Sequence, residues 1–302
     1  MKKTSYSIGI VLIAGIICSG QLFAGGKKEI QKTFESKENV KIKLVLGSCT
    51  LKKSNDKNIH VQVVYSYDEN DFEAEFKEKT NTLSIREKLY ENSNRGYSKW
   101  VIEIPDNREV DFESATGELN ISSLTLTIDG SSGTGEIEIV DAKGKFDVSS
   151  GTGQIRIENC EGEFDLSSGT GRVIVENVTG TIEASSGTGR VKVQNIELVE
   201  EGEFNSGTGD VEVAHVTGED FDLSLSSGTG DATMILDGLP AEGYFEFSAS
   251  AHSGDIDVPF EFDKEEEYPD GDSEYIKKSF THGDKSRRYF ISTGTGTAEL
   301  KK

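Results

Sequence analysis

Basic charge is scarce in this 302-residue chain, where 32 Lys and Arg stand against 54 Asp and Glu for a net charge of −22. A surplus of that sign opposes binding to nucleic acid or to an anionic membrane surface and favours neutral, cationic or metal-bridged partners. Proline is scarce too, with 4 residues against 33 glycines, and no long stretch has helical periodicity. With abundant Val, Ile and Thr, that composition reads as strands broken by glycine turns. The four histidines, His60, His215, His252 and His282, are scattered, and no Cys/His spacing resembles a zinc site. The sequence assigns no catalytic residue, no metal ligand and no cofactor-binding residue.

Long apolar runs are also missing, apart from one at the start. Lys2 and Lys3, the apolar run Ile8 to Ile17 and the small residues ending at Ala24 have the three-part layout of a secretory signal, with cleavage expected after Ala24. The run falls short of the ~20 apolar residues that a membrane span needs. Cys18 has the form of a lipid-attachment site, but the bulky Ile17 before it departs from the small residue that such processing uses. Export follows from this reading, to the periplasm, the cell surface or the medium. Removal of the leader leaves Cys49 and Cys160. Cys160 stands in a repeat column otherwise filled by Ala142, Val178 and Ile196, so it reads as a buried free thiol rather than half of a disulfide.

What the chain has in quantity is repetition. Ser-Gly-Thr-Gly begins at Ser132, Ser150, Ser168, Ser186, Ser206 and Ser227, at spacings of 18, 18, 18, 20 and 21. A degenerate copy starts at Ser114, and Thr293-Gly294-Thr295-Gly296 lies near the end. Side chains alternate along a strand with period two, so aligned units separate inside from outside. One apolar column holds Leu119, Ile137, Ile155, Val173 and Val191, and another holds Ile121, Ile139, Ile157, Val175 and Val193. Between them runs Asn120, Glu138, Arg156 and Lys192, interrupted by Ile174.

The second strand of each unit carries Ile128, Phe146, Phe164 and Ile182 in one column and Val148, Leu166 and Ala184 in the next. Gly130 in that second column suggests a less regular first unit. Asp129, Asp147, Asp165 and Glu183 lie between the two columns and are expected to face solvent. Both strands of every unit have an apolar face and no helix is available to cover it. A single-layer antiparallel meander would leave a face bare, so the pattern favours a coil of stacked parallel strands around a thin core. The recurring serine and threonine are expected to form hydroxyl ladders along one corner, and Asp141, Asn159, Asn177 and Asn195 an amide ladder along the other.

The expected fold is therefore all-β: a β-solenoid, a single-stranded parallel β-helix or β-roll of about 18-residue coils. Residues 1–24 are read as signal peptide, 25–112 as an N-terminal β region serving as a cap, 113–240 as the regular solenoid and 241–302 as a C-terminal β region with an acidic loop from Asp263 to Asp272. The Gly-Thr-Gly turns lead into strands such as Val173-Ile174-Val175 rather than a helix N-terminus, which argues against phosphate binding. Asp210 and Asp231 follow Gly-Thr-Gly as in calcium-binding β-rolls, yet other units have Glu136, Gln154, Arg172 and Arg190 there, and arginines oppose a cation row.

The N-terminal strands, the segment ending Ile102-Glu103-Ile104-Pro105, the Ser-Gly-Thr-Gly blocks and the final Thr-Gly-Thr-Gly resemble the bacterial putative-adhesin β-repeat domain family, a domain of unknown function. The resemblance covers nearly all of the chain after the leader. It implies a β-solenoid fold and an envelope location, and brings no catalytic residues. The expected function is non-enzymatic: a cell-envelope or secreted adhesin or interaction scaffold binding an envelope protein or a glycan. The alternative is a periplasmic structural or envelope-stress component with no ligand of its own. A calcium-binding β-roll and a carbohydrate-active enzyme rank behind both.

Overall fold

The structure, a computed structural model, describes residues 27–90, 96–270 and 273–302. The leader read over residues 1–24, Cys18 included, lies outside them. Every regular element among the described residues is a β-strand.

Strands of consecutive units pair in parallel, like residue beside like residue. Ile137 pairs with Ile155 and Ile155 with Val173 in a ladder of four-residue strands such as Ile137–Val140. Phe146 pairs with Phe164 and Phe164 with Ile182 in a second ladder of longer strands such as Lys143–Thr152. The inward columns of the two ladders form one core. Ile137, Ile155, Val173 and Val191 are fully buried, and so are Phe146, Val148 and Leu166. Burying each such side chain is worth about 1.5–3 kcal/mol.

The two corners between ladders have different chemistry. At one, Asp141, Asn159, Asn177 and Asn195 all take φ near +55°, a left-handed turn that Asn and Asp tolerate. Their side chains form the expected amide ladder, with Asn177 donating to Asn159 at 3.1 Å and Asn195 to Asn177 at 3.2 Å. At the Ser-Gly-Thr-Gly corner the hydroxyl ladder takes another form. Serine turns inward, is buried, and donates to the carbonyl of the second glycine of the preceding unit, as Ser150 does to Gly135 at 2.9 Å. Threonine turns outward and is exposed, as at Thr152 and Thr170. The second glycine is obligatory: at Gly153, φ is +155° and a Cβ would lie 2.0 Å from the Gly135 carbonyl oxygen.

Gly130 does not disturb the stack. Its ladder runs unbroken from Phe112 through Gly130 to Val148, and the Val148 side chain comes within 3.2 Å of where a Cβ would stand. The irregularity lies instead where the spacing lengthens to 20. There Gly180 still pairs with Leu198, but Ile182 pairs with Gly202, so Val199–Glu201 bulges outward. Leu198 fills the space over Gly202, within 3.1 Å of where a Cβ would stand.

The parallel ladders continue past the clean repeats, but out of chain order. Asn39–Leu44 and Ser48–Lys53 sit between Thr82–Leu89 and Ser98–Ile104 on one side and Arg108–Thr116 and Leu119–Ser122 on the other. Near the other end, Arg287–Lys301 lies between the strands Phe221–Thr229 and Ala232–Ile235 on one side and Gly243–Ser250 and Gly254–Asp257 on the other, all of which precede it in sequence. Antiparallel strands then close the stack: Lys28–Phe34, Ile59–Tyr65 and Phe72–Glu78 at one end, Lys264–Asp270 and Ser273–His282 at the other.

Aromatic residues plug both ends of the core. Tyr65 stacks on Phe72 at 4.2 Å and Phe34 meets Phe76 at 5.4 Å, while at the far end Phe245 stacks between Tyr289 at 4.2 Å and Phe280 at 4.8 Å. The outermost strands carry charge, including Lys28 and Lys32, Glu73 and Glu75, and Glu265 to Glu267. Charged edges discourage pairing with the strand edges of other molecules.

Candidate interaction surface

The alternation that buries Phe146 and Val148 turns Asp147 outward, and parallel register repeats that placement in every unit. Asp111, Asp129, Asp147, Asp165, Glu183 and Glu203 therefore form one row across the outer face of the long-strand ladder. Neighbouring strands are about 4.8 Å apart, so each carboxylate lies close to two others. Lys41 pairs with Asp111 at 2.6 Å, and Asn205 donates to Glu203 at 2.6 Å. Between these ends, Asp129, Asp147, Asp165 and Glu183 make no ion pair or side-chain hydrogen bond with the described residues. Lys145, in the adjacent row, is taken by Glu163 at 2.9 Å.

Crowding is visible in Glu183. Desolvation, followed by repulsion from Asp165, Glu203 and Glu201, holds its carboxyl above the ordinary range. The Val199–Glu201 bulge raises one wall here. Glu200 and the row residues Asp147, Asp165 and Glu183 line an open depression of about 450 Å3. Val199 on the bulge is 59% exposed, the most exposed large apolar side chain of the described chain.

The outer face of the short-strand ladder differs from this row in carrying several ion pairs, although Glu138 is exposed there without one among the described residues. Arg156 bridges Glu158 at 2.8 Å and Glu176 at 2.6 Å, and Lys192 lies 3.6 Å from Glu212. Arg190 pairs with Asp210 at 2.6 Å, and that guanidinium holds the Asp210 carboxyl below the usual range. The other oxygen of Asp210 accepts the backbone N–H of Asp231 at 3.3 Å, and Asp231 accepts that of Thr297 at 2.8 Å. The two aspartates raised as calcium candidates thus cap the next strand. Among the described residues no His, Cys, Asp or Glu cluster is arranged to hold a metal ion.

The histidines are apart, as the sequence has them: His60 bonds Asp56 at 3.0 Å, His215 lies 3.7 Å from Asp237, and His282 packs against Phe260. Cys49 and Cys160 are free and buried, and desolvation pushes both thiols up. Sequence reading missed Glu87, a buried carboxylate near the N-terminal end. It accepts the backbone N–H groups of Val45, Leu46 and Gly47 at 2.6–3.1 Å and the Ser98 hydroxyl at 2.5 Å. Its backbone partners form the corner between Asn39–Leu44 and Ser48–Lys53, which has no Ser-Gly-Thr-Gly of its own, and a lone glutamate in a strand gives no sequence signal for such a role.

The model of the Toastrack DUF4097 family matches residues 38–238. This chain belongs to that family. The matched span holds the six Ser-Gly-Thr-Gly units and the acidic row, and the family is all-β and β-solenoid-like, of unknown function. Solved structures with similarity to the chain include a putative cell adhesion protein from Clostridium sporogenes, at 14% identity over 91% of this chain and 99% of that one, with a TM-score of 0.25. A putative adhesin from Bacteroides fragilis has 14% identity over 90% and 97%, with a TM-score of 0.38. A putative lipid binding protein from Parabacteroides distasonis has 13% identity over 92% and 98%, with a TM-score of 0.37. No curated protein matches the chain.

Proposed function

We propose that this Toastrack chain is an exported, non-enzymatic interaction scaffold of adhesin type, a β-solenoid of about 18-residue coils. It presents its row of bare carboxylates to a cationic partner, a Lys/Arg-rich protein surface or an amine-bearing glycan. One observation carries the reading: Asp129, Asp147, Asp165 and Glu183 stand unpaired in line, whereas on the short-strand ladder Arg156 and Lys192 sit in ion pairs with neighbouring carboxylates. Like charges held a strand apart cost stability, and a cationic partner relieves that cost. The leader-like start of the sequence supports export.

The test passes the purified chain over immobilised polylysine, an amine-bearing glycan and a neutral glycan at rising salt. Binding to a cationic probe that weakens with salt supports the proposal. No binding to either cationic probe counts against it.

A second reading, an envelope structural component with no ligand of its own, draws on the charged edge strands and the ion pairs of the short-ladder face. A deletion phenotype in envelope integrity without loss of attachment favours that reading.

A further inference from the structure

The strand Arg287–Lys301 occupies a slot between two units that are already complete without it. On one side it pairs in parallel with Phe221–Thr229 and Ala232–Ile235, and on the other with Gly243–Ser250 and Gly254–Asp257. Both neighbours precede it in the chain, so the segment from residue 236 to 286 passes beyond the slot before the chain returns to fill it.

The slot selects its occupant closely. A Cβ at position 294 would lie 2.6 Å from the Gly228 carbonyl oxygen, and one at position 296 would lie 2.3 Å from that of Gly230, with φ at +139°. Thr293, buried, donates to the Gly230 carbonyl at 2.8 Å. Thr297 N–H reaches Asp231 at 2.8 Å, Arg288 pairs with Asp222, and Tyr289 stacks on Phe245 while meeting Phe221 edge-on. An entering strand must therefore carry an aromatic residue, an aliphatic residue two positions on and a Ser/Thr-Gly-x-Gly in fixed register. This chain's own segment has that pattern.

The link into the strand is an open hinge. Gly283, Asp284 and Lys285 are exposed, Gly283 has φ +70°, and a Cβ there would meet nothing closer than 3.9 Å. Extending the link breaks no core contact. Every contact of the strand can re-form in another molecule of the same sequence, so the balance between closed and exchanged forms rests on the hinge and on protein concentration.

We propose that Arg287–Lys301 is an exchangeable strand, and that two copies of this chain associate by donating it reciprocally into each other's slot. The exchange joins two acidic rows in one assembly and multiplies whatever those rows bind. It stands independently of what the rows recognise.

Cross-linking between neighbouring strands tests it. Ser226 and Ser292 are register partners on adjacent parallel strands, at a separation that a disulfide can span. Full-length Ser226→Cys and Ser292→Cys chains are mixed at rising concentration and oxidised, with the double variant in one chain as the control for geometry. The expected result is an intramolecular link in the control, and in the mixture a heterodimer linked through positions 226 and 292 whose yield rises with concentration. A control that links while the mixture gives no such heterodimer overturns the exchange. A control that stays unlinked overturns the register on which the slot rests.

Discussion

Ser168 sends its buried hydroxyl to the carbonyl oxygen of Gly153, one unit back, at 2.9 Å. The bond joins the side chain of one Ser-Gly-Thr-Gly to the backbone of the previous one, which is why serine and the second glycine recur together. Ser168→Ala is expected to cost about 1–2 kcal/mol, the value of a buried hydroxyl–carbonyl bond. Gly153→Ala is expected to cost several kcal/mol more, through its positive φ and the carbonyl it would strike. Urea unfolding of both variants checks the order. If Ser168→Ala were the more damaging, the corner would be held by something other than backbone fit.

The inside and outside columns are separable by charge. Val173 is fully buried in the stack and Asp165 is exposed on the outer face of the other ladder. Val173→Asp is expected to lose about 3 kcal/mol or more, because it buries an unpaired carboxylate. Asp165→Asn should leave the melting temperature nearly unchanged. Equal losses in the two variants would reverse the assignment of faces.

Glu183 gives the row a pH signature. Its carboxyl is raised by desolvation and by Asp165, Glu203 and Glu201, so the fold favours the neutral form. Stability from this group is fully present below the ordinary glutamate value of 4.5 and is lost as pH rises through the raised folded value. Glu183→Gln removes that loss. The variant is expected to melt above the parent at pH 7 and to converge with it in acid. A gap constant with pH, or of the opposite sign, would contradict the crowding of the row.

Burial pushes the thiols of Cys49 and Cys160 up, and neither has a disulfide partner. Both are expected to resist alkylation in the native chain and to react within seconds to minutes of unfolding. Rapid native labelling of Cys160 would place its column outside the core.

Much of this structure is legible in the sequence because repetition turns a weak pattern into a strong one. A single Ile-x-Ile is ambiguous, but Ile137, Ile155 and Val173 in line identify a buried column, and Asn159, Asn177 and Asn195 identify a corner. The hydroxyl partners were less legible, since sequence does not distinguish a bond to another hydroxyl from one to the carbonyl of Gly135. Thr293-Gly294-Thr295-Gly296 marks its strand as part of the stack, yet nothing local says that it enters between two earlier units. Glu87 was illegible for the same reason, because its partners at Val45 to Gly47 lie about 40 residues away. The row of carboxylates could be read from the sequence. That it is unpaired, while Arg156 pairs with Glu158 and Glu176 on the other face, depends on which side chains the ladders bring together.

The function proposed here rests on that unpaired row, and a chain carrying Asp129→Asn, Asp147→Asn, Asp165→Asn and Glu183→Gln together tests it most directly. The substitutions remove four charges from an exposed face and leave the core intact. Binding to immobilised polylysine is measured against the parent at low and high salt, with thermal unfolding alongside. The expected result is a melting temperature equal to or above the parent's, with affinity at low salt weaker on the order of tenfold or more. A fully folded variant that binds with the parent's affinity and salt dependence would contradict the row as the recognition surface.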